Sequence, residues 1–394
     1  MRRRTFLAAV ATPPLAQKAA FALTLEGLAL GAARRAHLAA FSLTLEGLAL
    51  GAARRAHAAV QFPAVTPRPL AFPRDHGAHP DYRTEWWYLT GWLDARPQPL
   101  GFQVTFFRTR TEIAPANPSR FAARQLIIAH AALADPAQGS LIKDERIARA
   151  GFGVAEAAEG DTDVRLDRWH FRRRADGAYA CSLPARAFTL EFVARPTQPL
   201  LLQGEDGFSR KGPQAAQASF YYTQPQLQVQ ATVQRDGERR SLPGIAWLDH
   251  EWSSTLLDPD AAGWDWVGMN LDDGAALTAF QIRRRGSGEK LYAYASLRAP
   301  RSARVSVFAP AEVDFAPLRH WISPRTRGAW PVAQRIRVGT RTFATEPLFA
   351  DQELDSRATT GAVYWEGASH LNEDGRGVGR GYLEMTGYVE PIRL

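Results

Sequence analysis

A run of four residues, Asp249-His250-Glu251-Trp252, sets two carboxyl groups, an imidazole and an indole side by side. On a strand the side chains alternate, so Asp249 and Glu251 would share one face, and His250 and Trp252 the other. The first face then carries paired carboxyl groups, each raising the pKa of its neighbour. The second carries a proton carrier beside an aromatic wall. One cavity receives both faces only if a bulge or turn intervenes. Asp265 stands between Trp264 and Trp266, and Glu85 stands just ahead of Trp86, Trp87 and Tyr88. A carboxyl group among indoles is poorly solvated, which keeps it protonated near neutrality and suits it to general acid catalysis. Asp249, His250, Glu251 and Asp265 are the candidate catalytic residues. Trp252, Trp264, Trp266, Glu85, Trp86, Trp87 and Tyr88 are the candidate ligand contacts.

Each of these has a plainer explanation. Tryptophans on strands commonly fill a core, and Asp249 and Glu251 can cap turns or pair with arginines. His76 and His79, three residues apart ahead of a strand, are a weak metal signal, and no metal site is expected. Arg210-Lys211 reads as part of a solvated loop. The chain has no G-x-S-x-G elbow, no G-x-x-x-x-G-K-[ST] loop and no H-E-x-x-H pair, which removes the usual hydrolase, nucleotide and zinc signatures. Gly375-Arg376-Gly377-Val378-Gly379 lies in a hairpin turn rather than ahead of a helix. No cofactor is expected.

The elements that must position these residues read as short strands. Trp86–Leu93, Leu100–Arg108, Gln125–Leu133 and Phe188–Ala194 are apolar or alternating, and Asp-Gly turns recur at Asp176, Asp206, Asp236, Asp273 and Asp374. Leu227–Gln234, Trp264–Leu271, Ala276–Arg283, Lys290–Leu297 and Gly381–Tyr388 continue the pattern. The strand beginning at Leu277 offers Gln281 and no carboxylate. Long helical periodicity is missing, so the body is all-β, built as barrels or sandwiches. Its length fits two domains, 73–226 and 240–394, after a proline-rich linker at 58–72. The 11 Trp, 20 Phe and 10 Tyr suit half-buried strands or a stacking pocket.

The formal charge of +8 suggests nucleic acid until it is located. Residues 1–57 carry eight basic and two acidic groups, so only two of those positive charges belong to residues 58–394. A basic footprint for phosphate is absent, and nucleic-acid binding is not expected. The N-terminus, Met1-Arg2-Arg3-Arg4-Thr5-Phe6-Leu7, resembles a twin-arginine export signal and predicts a periplasmic or secreted protein. Phe21–His37 and Phe41–His57 differ only at Ala22 against Ser42. We read residues 1–57 as a non-globular leader with a tandem duplication. Cys181 is the only cysteine, which excludes an intrachain disulfide.

Three stretches carry a family resemblance. The first is Phe72-Pro73-Arg74-Asp75-His76-Gly77-Ala78-His79-Pro80 with Thr84-Glu85-Trp86-Trp87-Tyr88. The second is Gly244–Trp252 with Gly263-Trp264-Asp265-Trp266. The third is Tyr364-Trp365-Glu366-Gly367-Ala368 with Gly379–Tyr388. Together they resemble the AttH-like and hydroxyneurosporene synthase (carotenoid 1,2-hydratase) family over about residues 70–394. The resemblance implies two lipocalin-like β-barrel domains in tandem and adds Trp365 to the ligand contacts. It implies an apolar partner, a carotenoid, isoprenoid or lipid, with possible peripheral membrane contact. Some relatives hydrate an isolated carotenoid double bond; a non-catalytic periplasmic carrier or chaperone is the alternative. Hydration needs an acid to protonate carbon, a held water, and aromatic faces near the cation. Asp249 or Asp265 would donate the proton, His250 would position water, and Trp252, Trp264 and Trp266 would line the pocket.

Overall fold

The structure, a computed structural model, describes residues 60–255 and 257–392. The twin-arginine start and the duplicated leader lie outside the described residues. The first sheet comprises β1 (Thr84–Leu93), β2 (Leu100–Arg110), β3 (Gln125–Ala134), β4 (Leu141–Arg149), β5 (Ala155–Ala157), β6 (Asp163–Leu166), β7 (Trp169–Arg173), β8 (Tyr179–Pro184), β9 (Thr189–Pro196), β10 (Leu201–Leu202), β11 (Phe208–Arg210), β12 (Ala218–Arg235) and β13 (Glu238–Thr255). The second comprises β14 (Ala261–Leu271), β15 (Ala276–Arg284), β16 (Lys290–Arg298), β17 (Val305–Phe308), β18 (Val313–Ile322), β19 (Ala329–Val338), β20 (Arg341–Pro347), β21 (Glu353–Ser356), β22 (Ala362–Glu373) and β23 (Arg376–Thr386).

The all-β architecture matches the expectation. The first sheet runs β4-β3-β2-β1-β13-β12-β9-β8-β7-β6-β5, and it curls until β5 and β6 return against β3 and β4. The second runs β17-β16-β15-β14-β23-β22-β20-β19-β18 and brings β18 back beside β15 and β16. Each sheet wraps its own apolar core. Trp87, Leu89, Phe102, Phe106, Trp169 and Phe192 fill the first, and Val267, Met269, Trp330, Ile336, Trp365 and Leu383 fill the second.

Two expectations about the layout move. The change of sheet falls between Thr255 and Ala261 rather than near residues 227–239. The turn at Asp236-Gly237 is a hairpin inside the first sheet, and β13, placed by sequence in the second domain, pairs with both β12 and β1. The proline-rich segment is not a free linker either. Val65 and Leu70 pack with Phe220, Tyr222 and Trp252, so the segment straps one end of the first barrel.

The outer faces of the two sheets meet. A Cβ on Gly101 of β2 would lie 2.6 Å from the Ala368 side chain and 2.8 Å from the Tyr382 hydroxyl, an approach only glycine permits. Trp92 Nε1 donates to the Gly381 carbonyl at 2.9 Å, and Asn270 Nδ2 donates to the Ala246 carbonyl at 3.1 Å. These contacts hold the sheets together on either side of a gap.

Candidate active site

That gap is a cavity of about 300 Å³ between the barrels, outside both filled interiors. Strand alternation decides which residues reach it. On β1, Glu85, Trp87 and Leu89 point into the first barrel, while Trp86 and Tyr88 point into the cavity. On β13, Leu248, His250 and Trp252 take the barrel side, and Asp249 and Glu251 the cavity side. The two faces of the Asp249–Trp252 run serve separate places.

From the second sheet, Trp264 and Trp266 of β14, Phe280 and Ile282 of β15, Tyr364 and Glu366 of β22, and Glu384 of β23 complete the wall. Glu366 and Glu384 stand directly opposite each other on paired strands. The Tyr88 hydroxyl donates to Glu366 Oε2 at 2.7 Å, and Trp264 Nε1 donates to Glu384 Oε1 at 2.7 Å. Burial raises both carboxyl groups above the usual range, and for Glu384 the facing Glu366 adds to it. Two such acids cannot both ionise cheaply, so the pair holds a proton near neutrality.

Across the cavity, Asp249 accepts from Thr223 Oγ1 at 2.6 Å, Trp247 Nε1 at 2.9 Å and the Tyr221 hydroxyl at 2.9 Å. Burial still pushes its pKa up to about 7, against the pull of those three donors. Glu251 Oε1 lies 3.1 Å from Lys211 Nζ. That contact is an ion pair set off the hydrogen-bonding direction, and it leaves Oε1 without a hydrogen-bond partner. Lys211 sits 4.3 Å from the ring centres of both Tyr221 and Phe280, and burial lowers its pKa despite Glu251. The expectation of a solvated Lys211 is therefore wrong: the turn after β11 tucks it beneath the aromatic wall.

Several predicted site residues lie elsewhere. Asp265 faces the second barrel's interior, where it accepts from Gln281 Nε2 at 2.7 Å, the Tyr388 hydroxyl at 2.9 Å and Arg283 Nε at 3.1 Å. Its neighbours in space are a guanidinium and an amide, not the flanking indoles, which point the opposite way. Trp365 is also interior, with Nε1 donating to the Ala350 carbonyl at 2.9 Å. Glu85, Trp87, His250 and Trp252 form a network at the end of the first barrel. Glu85 Oε1 lies 2.7 Å from His79 Nδ1 and 3.0 Å from His250 Nε2, and Oε2 accepts from Arg108 Nε at 2.7 Å. Burial alone would raise Glu85, but Arg108 and the two imidazoles hold it well below its ordinary range. Trp87 stacks on His250 at 4.7 Å, and Trp252 stacks on His79 at 3.7 Å. His79, Glu85 and His250 approach closely enough for a metal, but their ligand atoms are engaged with one another and Arg108 balances the charge. His76 is not part of that group; its Nδ1 lies 2.8 Å from the Tyr222 hydroxyl.

Sequence reading missed Glu366, Glu384, Lys211 and Tyr221. A signal existed for the two glutamates. Each is a carboxylate set among aromatic and apolar neighbours, Tyr-Trp-Glu-Gly and Tyr-Leu-Glu-Met, the same local pattern that drew notice to Asp265.

The AttH-like family description matches residues 63–388. A solved structure assigned as an AttH from Nitrosomonas europaea is 54% identical, covers 84% of this chain and 100% of its own, and superposes with a TM-score of 0.79. Kievitone hydratase from Nectria haematococca is 13% identical, covers 83% of this chain and 95% of its own, with a TM-score of 0.61, and shows likeness of fold alone. No curated protein matches the chain.

Proposed function

We propose that this chain, which belongs to the AttH-like family, binds an apolar isoprenoid or lipid-like molecule in the cavity between its barrels and adds water to an isolated C=C bond by acid catalysis. One observation carries the reading: Glu366 and Glu384 face each other on paired strands in a wall of aromatic rings, where loss of solvent raises both carboxyl groups above their ordinary range. Protonating an unactivated alkene requires an acid kept from water and a surround that tolerates a carbocation. The Glu384 carboxyl group gives its proton to one alkene carbon, and the π faces of Trp86, Trp264 and Trp266 stabilise the cation on the other. Water adds to that carbon and releases a proton to Asp249, whose pKa of about 7 suits a base at neutral pH. Exchange with solvent through the open side of the cavity then returns a proton to Glu384. The proton donor is thus proposed to be Glu384 in place of Asp249 or Asp265, with Asp249 taking the part of the base. That one protein of this fold is a hydratase supports the fold's compatibility with such chemistry and does not name a substrate.

Incubation with an acyclic carotenoid such as neurosporene or lycopene, analysed by mass, should show the gain of one water. Glu384→Gln should lower turnover by roughly a hundredfold or more while binding persists. If the unmodified protein binds the carotenoid and never adds water, the same cavity belongs to a carrier.

A further inference from the structure

The sheet face that walls the cavity continues past it to the edge strand β4. Residues directly opposite on antiparallel strands project from the same face. Register therefore extends one row from Glu251 through Trp86, Phe107 and Ile128 to Ile147. The adjacent row runs from Thr84 through Thr109 and Leu126 to Arg149. Trp86, Phe107, Ile128 and Leu126 line the cavity. Ile147, on the edge strand β4, is 45% exposed.

At the end of the sheet where β3 begins and β4 finishes lie the most exposed aromatic side chains of the described residues. Phe121 is 69% exposed and Phe152 is 55% exposed. Their rings stack at 5.4 Å with planes 2° apart. The Arg149 guanidinium lies 4.1 Å from the centre of Phe152 and 5.2 Å from that of Phe121. Phe152 is held at φ 59° between two glycines, a left-handed conformation that costs a bulky residue on the order of 1 kcal/mol and fixes its ring outward at the tip of a turn. Residues 113–134 and 146–155 contain no Asp or Glu. Arg120, Arg124 and Arg149 meet no carboxylate within 4.0 Å among the described residues.

We propose that this face docks on a lipid bilayer bearing anionic headgroups. Phe121, Phe152 and Ile147 enter the headgroup boundary, and Arg120, Arg124 and Arg149 contact phosphates. Apolar rings ringed by cations without counter-charges are what such an interface selects. An apolar ligand then passes along Ile147, Ile128 and Leu126 into the cavity and never crosses bulk water. The portal role rests on the cavity reading above; the docking itself does not.

The test is co-sedimentation of the full chain with phosphatidylcholine vesicles, with and without phosphatidylglycerol. Binding should appear with the anionic lipid and fall with salt. Hydrogen exchange at Arg149–Val154 should slow when vesicles are added. Arg149→Gln should weaken partitioning about fivefold, and the double variant Phe121→Ser, Phe152→Asn roughly tenfold or more, with melting temperatures unchanged because the side chains are exposed. Turnover of a detergent-dispersed substrate should be unaffected, so failure at the membrane and failure of the cavity chemistry are separable. Sedimentation equal between variants and the unmodified protein, or none at all, overturns the proposal. So does self-association that the double variant abolishes, because a second copy would then be what covers the patch.

Discussion

Glu384 and Asp265 are both lone acids between apolar neighbours in the sequence, yet their surroundings set opposite chemistry. The indole of Trp264 donates to Glu384, and another carboxyl group faces it, so its proton stays on. Asp265 meets Arg283, whose Nε donates at 3.1 Å, together with Gln281 and Tyr388, on the interior side of its strand and away from the cavity. Asp265→Asn should therefore lower stability by about 3 kcal/mol, measured by denaturant unfolding, because it leaves a buried guanidinium without its counter-charge. Any hydration activity of the folded fraction should persist. Were the residue the proton donor, activity would vanish while stability held. Lys211 and Glu251 belong to the same scale: Oε1 of Glu251 is ion-paired with Lys211 yet has no hydrogen-bond partner, which leaves one polar spot in an aromatic wall.

Within an element, β1 carries the sharpest contrast, since Trp86 and Trp87 are neighbours on opposite faces. Trp87 is 1% exposed, belongs to the first core and donates from Nε1 to the His76 carbonyl at 3.1 Å. Replacing it by alanine should cost about 3–5 kcal/mol in unfolding measurements. Trp86→Ala empties part of the cavity wall instead. It should leave the melting temperature nearly unchanged and weaken binding of an apolar ligand, followed by fluorescence titration. Equal losses of stability in the two variants would contradict the assignment of faces. On β13 the same alternation divides Asp249 and Glu251 from His250 and Trp252, so the proposed base and the structural imidazole cannot exchange roles.

For the molecule as a whole, the carboxyl groups of the cavity tie folding to pH. Asp249, Glu366 and Glu384 hold protons in the fold that the unfolded chain releases. For Asp249 and Glu366 that contribution is complete below the ordinary carboxylate range and is lost as pH rises through about 7. The buried imidazoles oppose this. Burial lowers His76 and His130 to about 3, so they remove stability as pH falls below 6.5. The informative quantity is thus a difference. Glu366→Gln should gain stability relative to the unmodified protein between pH 5 and pH 8 by a few kcal/mol, read from melting temperatures. A constant difference would mean that Glu366 ionises freely in the fold.

Much of the fold was legible from period-two patterning: the all-β class, most strands, and the placement of Asp249 and Glu251 on one face. Those features depend on neighbours one or two residues away, which a strand alternates in a fixed way. The tertiary structure alone decided what covers each face. A barrel interior and a cleft between barrels both demand buried aromatic side chains, so Trp86, Trp87 and Trp365 look alike in the sequence. Pairing β22 with β23, and laying both across from β1 and β13, is what sets Glu366 against Glu384 and opposite Asp249. The hairpin of β22 and β23 turns locally at Asp374-Gly375, whereas its placement across from β1 and β13 is made by contacts between segments far apart in the chain, which no local pattern encodes.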